Sequence, residues 1–203
     1  MCGIVGIYLK TKKFEKNLGK MLSGMLNNME SRGPDSAGFA IYKNEGNKTY
    51  KFSLCINDLN FNIFKKELSK KIKKIKLKQI SDHVILKTEE KPKKVISVIS
   101  SYFPDVSIVG YGKSIEIFKQ VGNPKDVVKK FKLGEFSGTH GIGHTRMATE
   151  SAITTDGSHP YSTGEDECLV HNGSLSNHNN LRRELTKKGN IFNSENDTEV
   201  AAG

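Results

Sequence analysis

The chain of 203 residues is poor in several residue types: it has no tryptophan, five prolines and three cysteines. The cysteines (Cys2, Cys55 and Cys168) are odd in number and show no paired spacing, which argues against a disulfide framework and favours a reducing, cytoplasmic setting. No apolar run approaches the ~20 residues that a membrane-spanning helix needs. The apolar stretch at 3–9 follows no basic segment, so we do not interpret it as a signal peptide. These absences predict one cytoplasmic globular domain over residues 1–203, with no membrane partner.

Acidic residues are also scarce, and the net charge is +10. Residues 43–94 hold fifteen lysines and six acidic residues, so this insertion-like segment carries +9 of that surplus. Because the charge is local and mostly lysine, we expect a solvated basic face, and we consider a nucleic-acid partner unlikely. A docking face for an acidic partner is the other interpretation that the segment leaves open.

Periodicity predicts a mixed α and β chain. Apolar side chains at helical spacing predict one helix over 14–29 and another through Phe61, Phe64, Leu68, Ile72 and Ile75. Helix caps are predicted at Asn123, Asn177 and Asn196. Short strands are predicted at 2–9, 39–42, 84–86, 95–100, 108–110, 115–118 and 168–170. The stretch 139–149 is strand-like at its start and is then expected to leave the sheet. Because the chain stops just after the last cap, we expect a C-terminally incomplete domain with an uncovered apolar face, prone to association.

Cys2 is the first candidate catalytic residue. Removal of Met1 would place a thiol and a free α-amine on one residue, and such an amine can act as the base for its own nucleophile. Cys2 taken alone is better explained as an incidental residue of a first strand. Four further stretches bear on that choice, and they are listed here in chain order: Arg32-Gly33-Pro34-Asp35-Ser36-Ala37-Gly38, His144-Thr145-Arg146-Met147-Ala148-Thr149, His171-Asn172-Gly173 and Asn196-Asp197-Thr198-Glu199.

Together with Met1-Cys2-Gly3-Ile4-Val5-Gly6, these stretches resemble the class II, N-terminal-nucleophile glutamine amidotransferases in order and rough spacing. The resemblance implies an α+β fold, the four-layer α/β/β/α sandwich of N-terminal-nucleophile hydrolases. It also implies hydrolysis of L-glutamine to glutamate and ammonia through a thioester on Cys2. Asn172 and Gly173 would then donate to the developing oxyanion.

The same resemblance implies substrate contacts for four residues. Arg146 would bind the α-carboxylate of glutamine, Asp197 its α-ammonium, and Arg32 and Gly33 would shape the pocket. The bland interpretations are a structural ion pair for Arg146 and a helix cap for Asp197. Four histidines, His140, His144, His159 and His171, show no close spacing with acidic or cysteine ligands, so we expect no metal.

The stretch after Arg146, beginning with Met147, is similar to the amidotransferase subunits of glutamate-synthase-like and N-methylglutamate synthase systems. It implies a synthase partner of glutamate-synthase type that receives the ammonia. The flavin and iron–sulfur cofactors of such a system would belong to that partner, and we expect no cofactor in this chain. The alternative is a non-catalytic regulatory or scaffolding subunit of the same assembly.

Overall fold

The computed structural model describes residues 2–43, 46, 48–148 and 152–203. Met1 and the end of one predicted motif, Thr149, therefore lie outside the described residues, as do Glu150 and Ser151. The strands are β1 (Gly3–Tyr8), β2 (Ser36–Tyr42), β3 (Tyr50–Cys55), β4 (Lys76–Ile80), β5 (His83–Thr88), β6 (Ser107–Gly112), β7 (Ile115–Val121), β8 (His140–Arg146), β9 (Tyr161–Gly164) and β10 (Glu167–Leu169). The helices are α1 (Leu18–Asn28), α2 (Phe61–Lys71), α3 (Pro92–Tyr102), α4 (Pro124–Lys130), α5 (His178–Lys187) and α6 (Asp197–Ala202), with 3-10 turns at Lys12–Asn17, Glu30–Arg32 and Leu133–Glu135. None of these helices is both long and apolar enough to cross a membrane.

The strands form two four-stranded antiparallel sheets and one hairpin. The first sheet has the order β1-β8-β2-β7, the second β4-β5-β3-β6, and β9 pairs with β10. In the first sheet, β8 lies between β1 and β2, although it comes about a hundred residues later in the chain. Its register places Thr145 opposite Gly3 and Arg146 opposite Ser36. The start of the chain, the Gly33-Pro34 turn and Arg146 therefore meet at one end of this sheet.

Helices cover each sheet through a separate apolar core. One core joins the first sheet to α1 and α4, and a second joins the second sheet to α2 and α3. A third, smaller cluster combines Ala40 and Ile117 of the first sheet with Cys55 and Val109 of the second. The predicted mixed α+β class with antiparallel sheets is confirmed.

Two of the predicted caps have the expected geometry. The Asn123 side chain accepts a hydrogen bond of 3.0 Å from the backbone N–H of Lys125, with Pro124 at the first helical position. The Asn196 side chain accepts one of 2.9 Å from Thr198 N–H. Asn177 precedes α5 but makes no capping hydrogen bond through its side chain.

Three predicted elements are wrong in detail. The run at 95–100 is part of α3, because Pro92 starts a helix there and Val95 and Ile99, one turn apart, are buried in the core of the second sheet. Ile75 does not continue α2, which ends at Lys71. The following Lys76–Ile80 pairs with β5 as an edge strand. The stretch before Leu18 forms a 3-10 turn instead of the first part of α1.

The lysine-rich segment supplies β3, α2, β4, β5 and the start of α3, so it builds most of the second sheet. All of its lysines except Lys51 and Lys87 are exposed. Lys51 is fully buried and pairs with the Glu116 carboxylate at 3.1 Å. The surplus positive charge therefore lies on the solvent side of this half of the molecule.

Candidate active site

A cavity of about 590 Å³ opens at the end of the first sheet where β8 terminates. Five of the seven predicted site residues line it: Cys2, Arg146, Asn172, Gly173 and Asp197. They come from four regions of the chain, the start, the end of β8, the segment after β10 and the first turn of α6. Arg32 and Gly33 do not line this cavity.

Cys2 directly precedes β1 and is half-buried. Its Sγ is 3.8 Å from the carbonyl oxygen of Met147, and its own carbonyl accepts a hydrogen bond of 3.1 Å from the Asn172 side-chain amide. Asn172 and Cys2 are thus neighbours although 170 residues separate them in the sequence. Met1, whose removal would free the α-amine of Cys2, lies outside the described residues.

Asn172 and Gly173 are exposed on the segment that follows β10. Gly173 lies directly against the ring of His171: a Cβ added at Gly173 would come within 2.5 Å of His171 Nε2. Only glycine fits at this position without moving that ring. Because glycine has no side chain, nothing at position 173 blocks access from the cavity to its backbone N–H.

Arg146 ends β8 and is only 5% exposed. One of its guanidinium nitrogens, Nη1, donates a hydrogen bond of 3.2 Å to the carbonyl of Ala152. A cation held this deeply beside a cavity favours an anionic ligand, and its planar fork matches a carboxylate.

Asp197 is the first residue of α6 and is half-buried. Its Oδ2 accepts a hydrogen bond of 2.6 Å from the backbone N–H of Leu175. Capping of α6 is done by Asn196, so the carboxylate of Asp197 is not the cap of its helix. The bland interpretation of Asp197 as a cap is therefore wrong, because the neighbouring amide takes that role.

Gly33 packs against the backbone of β8 and does not itself line the cavity. A Cβ added at Gly33 would come within 2.4 Å of the Thr145 carbonyl carbon and 2.6 Å of the Arg146 nitrogen. Gly33 therefore lets its turn pack directly on the backbone that carries Arg146. Arg32 is exposed at the end of the 3-10 turn Glu30–Arg32.

Asp35 is a site-supporting residue that the sequence analysis missed. Its Oδ2 accepts a hydrogen bond of 2.8 Å from Ala148 N–H, and its own N–H donates one of 3.0 Å to the Arg146 carbonyl. These bonds bracket Met147, whose carbonyl contacts the Cys2 thiol. The sequence signals were its place in the stretch at 32–38 and its position directly after Gly-Pro, a pattern that turns also show by themselves.

The rings of two buried histidines stack next to the cavity, and one of them, His159, lines it. The rings of His144 and His159 lie 3.9 Å apart, and His144 Nε2 is 3.0 Å from the carbonyl of His171. Burial lowers the pKa of His144 to about 4 and that of His159 to about 2. Both imidazoles are therefore neutral at physiological pH. His144 bonds the His171 carbonyl through Nε2, whereas both ring nitrogens of His159 are buried without a hydrogen-bond partner among the described residues, so His159 serves as a packing group.

Lys119 is a second buried group that the sequence did not reveal. Its ammonium donates hydrogen bonds to the carbonyls of Asp156 (3.0 Å) and Ser158 (2.9 Å) and lies 4.4 Å from the centre of the Tyr161 ring. Burial lowers the pKa of Lys119 to about 8. Through Ser158 it fixes the backbone next to His159, which lines the cavity.

Among the residues that the structure describes, one group has the donor atoms of a metal site: Cys55, Asp82 and His83, between the two sheets. Each of the three side chains already makes a hydrogen bond: Asp82 bonds His83 Nδ1 (3.0 Å) and Lys130 (2.9 Å), and the Cys55 thiol donates to Asn57. His83 Nε2 is buried without a partner in the described part of the chain. Burial raises the pKa of the Cys55 thiol to about 11. We therefore interpret this trio as a hydrogen-bonded group of the interior.

The structure thus places a cysteine, an amide, a buried guanidinium and a carboxylate around one cavity at the end of an antiparallel sheet. Comparison with known proteins identifies the family. A glutamine amidotransferase domain matches residues 134–202. The glutamine amidotransferase-like protein GlxB of Rhizobium meliloti (strain 1021) is 50% identical over 205 residues, covering 100% of this chain and 68% of that protein.

Two other similar proteins also carry names that refer to glutamine-dependent enzymes. A putative glutamine amidotransferase of Methanothermobacter thermautotrophicus is 33% identical, over 98% of this chain and 70% of its own length. The glutamine–fructose-6-phosphate aminotransferase of Methanococcus maripaludis is 43% identical over 88 residues, 43% of this chain and 15% of that enzyme. The chain belongs to the class II glutamine amidotransferases, as its motifs predict.

Proposed function

We propose that this chain is a glutaminase subunit, which hydrolyses L-glutamine to glutamate and ammonia through a thioester on Cys2. The observation that carries the proposal is the convergence of Cys2, Asn172, Gly173, Arg146 and Asp197 on one cavity. Family membership supports the substrate. The contact between Asn172 and Cys2 supports the chemistry, because it places an amide donor next to the nucleophile.

The reaction has two halves. After removal of Met1, the α-amine of Cys2 takes the thiol proton, and Sγ attacks the side-chain amide carbon of glutamine. The negative charge that develops on the amide oxygen is held by the Asn172 amide and the Gly173 N–H. The C–N bond breaks, ammonia leaves with the transferred proton, and water then cleaves the thioester to release glutamate.

Two charged residues bind the amino-acid end of glutamine, one at the end of β8 and one at the start of α6. The Arg146 guanidinium binds the α-carboxylate and the Asp197 carboxylate the α-ammonium. Simple amides carry neither charge, so they would gain nothing from Arg146 or Asp197 and would bind more weakly than glutamine. Gly33 contributes by letting the turn at 33–34 support Arg146, and Arg32 takes part in the same turn.

For the architecture, we propose the four-layer α/β/β/α sandwich of N-terminal-nucleophile hydrolases. Three apolar clusters support it: helix against first sheet, sheet against sheet, and second sheet against helix. In this arrangement the lysine-rich segment 43–94 belongs to the single domain over 1–203.

We propose a glutamate-synthase-type subunit as the recipient of the ammonia. The support is the resemblance around Met147, which contributes its carbonyl beside Cys2 and a partly exposed side chain to the cavity. Flavin and iron–sulfur chemistry would belong to that subunit, and both would act in the cytoplasm. A regulatory or scaffolding subunit without catalysis is the second candidate, and the GlxB relative is itself named amidotransferase-like.

The test is the intact mass of the protein after incubation with 6-diazo-5-oxo-norleucine, a glutamine analogue that alkylates such nucleophiles. We expect loss of Met1 and one adduct, absent in Cys2→Ala and retained in the matched control Cys168→Ala, whose thiol is half-buried beside Tyr42. A chain that loses Met1 but takes up no adduct would favour the non-catalytic subunit. An adduct that persists in Cys2→Ala would refute Cys2 as the nucleophile.

A further inference from the structure

His171 connects the two halves of the proposed site. Its ring lies against Gly173, and its Nδ1 is 3.2 Å from the hydroxyl of Thr198. That hydroxyl in turn donates a hydrogen bond of 3.3 Å to Asp197 Oδ1. Because Thr198 gives its proton to the carboxylate, its oxygen is left to accept one from His171 Nδ1–H. A directed chain of hydrogen bonds therefore runs from His171 through Thr198 to Asp197.

The segment 171–175 is fastened to the same carboxylate at its other end. The backbone N–H of Leu175 donates a hydrogen bond of 2.6 Å to Asp197 Oδ2. Between these two attachments lie Asn172 and Gly173. Both oxygens of Asp197 thus hold the short segment that carries the proposed oxyanion donors.

A third contact fixes this segment from the side of the first sheet. His144, fully buried on β8, bonds the His171 carbonyl at 3.0 Å through its Nε2. Burial keeps this imidazole neutral, so the bond persists over the physiological pH range. The His171 backbone is therefore tied to β8, which also carries Arg146, while the His171 ring is tied to α6.

We propose that His171 is a positioning residue that couples recognition of the substrate ammonium at Asp197 to the placement of the Asn172 and Gly173 donors. The inference rests on the proposed glutaminase function and deepens it. When an α-ammonium pairs with Asp197, the carboxylate that orients Thr198 and Leu175 is held in place, and the oxyanion segment is held with it. Binding energy at the amino-acid end is thereby used to orient the reacting end.

Two substitutions of His171 separate its two contacts. His171→Phe keeps a ring against Gly173 but removes the hydrogen bond to Thr198, whereas His171→Asn keeps an N–H donor near the Nδ1 position but removes the ring. Thr198→Val removes the same hydrogen bond from the other side. We expect His171→Phe and Thr198→Val each to lower kcat/KM for glutamine by about 10- to 100-fold, since small misplacements of reacting groups cost that much. His171→Asn, which keeps the donor to Thr198, should recover part of the loss in kcat/KM.

The double variant His171→Phe, Thr198→Val is the decisive comparison. If both residues act through one hydrogen bond, the double variant should be within about threefold of the worse single variant. Full multiplication of the two single losses would overturn the proposal. A purely structural role would show the same losses with lowered melting temperatures, so melting curves are recorded for every variant.

Alkylation rates provide a readout independent of turnover. Adduct formation by 6-diazo-5-oxo-norleucine depends on the amino-acid end, but alkylation of the Cys2 thiol by iodoacetamide does not. We expect His171→Phe to slow the first reaction about tenfold or more and to leave the second unchanged. Equal rates of the first reaction in His171→Phe and the wild type would refute the coupling alone. An unreactive wild type would instead refute the proposed function.

Discussion

The side-chain amide of Asn172 donates a hydrogen bond of 3.1 Å to the backbone carbonyl of Cys2. This bond places Asn172 beside the residue that carries the thiol. It also holds the start of β1 against the segment after β10. In the proposed reaction the same amide would donate to the oxyanion that forms on the amide oxygen of glutamine when Sγ attacks. Asn172 thus has both an architectural and a proposed catalytic contact.

Replacement of this amide should mainly slow the reaction. We expect Asn172→Ala to lower kcat for glutamine about 10²- to 10³-fold with little change in KM, as is typical when one oxyanion donor is lost. Steady-state glutaminase assays measure both constants. Asn179→Ala is a suitable control, because Asn179 lines the same cavity and has no role in the proposed chemistry. A change in KM alone would assign Asn172 to substrate binding.

Arg146 should govern affinity for the carboxylate end of the substrate. Arg146→Lys keeps the charge but loses the planar fork, so we expect KM for glutamine to rise about 10- to 100-fold with a smaller change in kcat. Arg183→Lys, on the exposed face of α5, is the matched control and should behave as the wild type. An unchanged KM in Arg146→Lys would contradict carboxylate binding by this residue.

Two glycines should respond to alanine in opposite directions. Gly24→Ala meets no atom within 4 Å in the middle of α1, so we expect stabilisation of about 0.5–1 kcal/mol. Gly33→Ala would collide with the backbone of Thr145 and Arg146, so we expect destabilisation of about 1–3 kcal/mol and a loss of glutaminase activity. Urea denaturation measures both. Equal stability of the two variants would show that the Gly33 turn can move away from β8.

Stability should fall on mild acidification. His144 and His159 have lowered pKa values, about 4 and about 2, because they are buried. In the unfolded chain a histidine titrates near pH 6.5, so below that pH the unfolded state binds protons that the native state excludes. The stability is fully present above about pH 6.5 and is lost as the pH falls toward the native pKa values, by roughly 1 kcal/mol per histidine for each pH unit.

Urea midpoints between about pH 7 and about pH 5 test this dependence. The variant His159→Phe carries a ring that does not titrate, so its midpoint should change less with pH than that of the wild type. The same slope in both proteins would show that other groups cause the acid sensitivity. His83, whose pKa is also lowered by burial, contributes to the slope that remains.

Local patterns in the sequence were sufficient for α1, for most of α2 and for the approximate positions of the strands of the first sheet. Leu18, Leu22 and Leu26 repeat at helical spacing and all lie in the core. The same reasoning failed at 95–100, where a β-branched run suits either a strand or a buried helix face. A tertiary partner, the core of the second sheet, decided in favour of the helix. It also failed at Lys76–Ile80, because an exposed edge strand has little apolar periodicity.

By itself, the sequence determined the family and the candidate residues, because Cys2, Arg146, Asn172, Gly173 and Asp197 occur in motifs whose order is legible without coordinates. Only the tertiary structure decided which residues share a cavity and which support it. The insertion of β8 between β1 and β2 brings Arg146 to Cys2, and long-range pairing of this kind leaves no periodic trace along the chain. The supporting contacts of Asp35, His144 and His171 are equally invisible along the chain, since each joins a group to a backbone or side-chain atom far away in sequence.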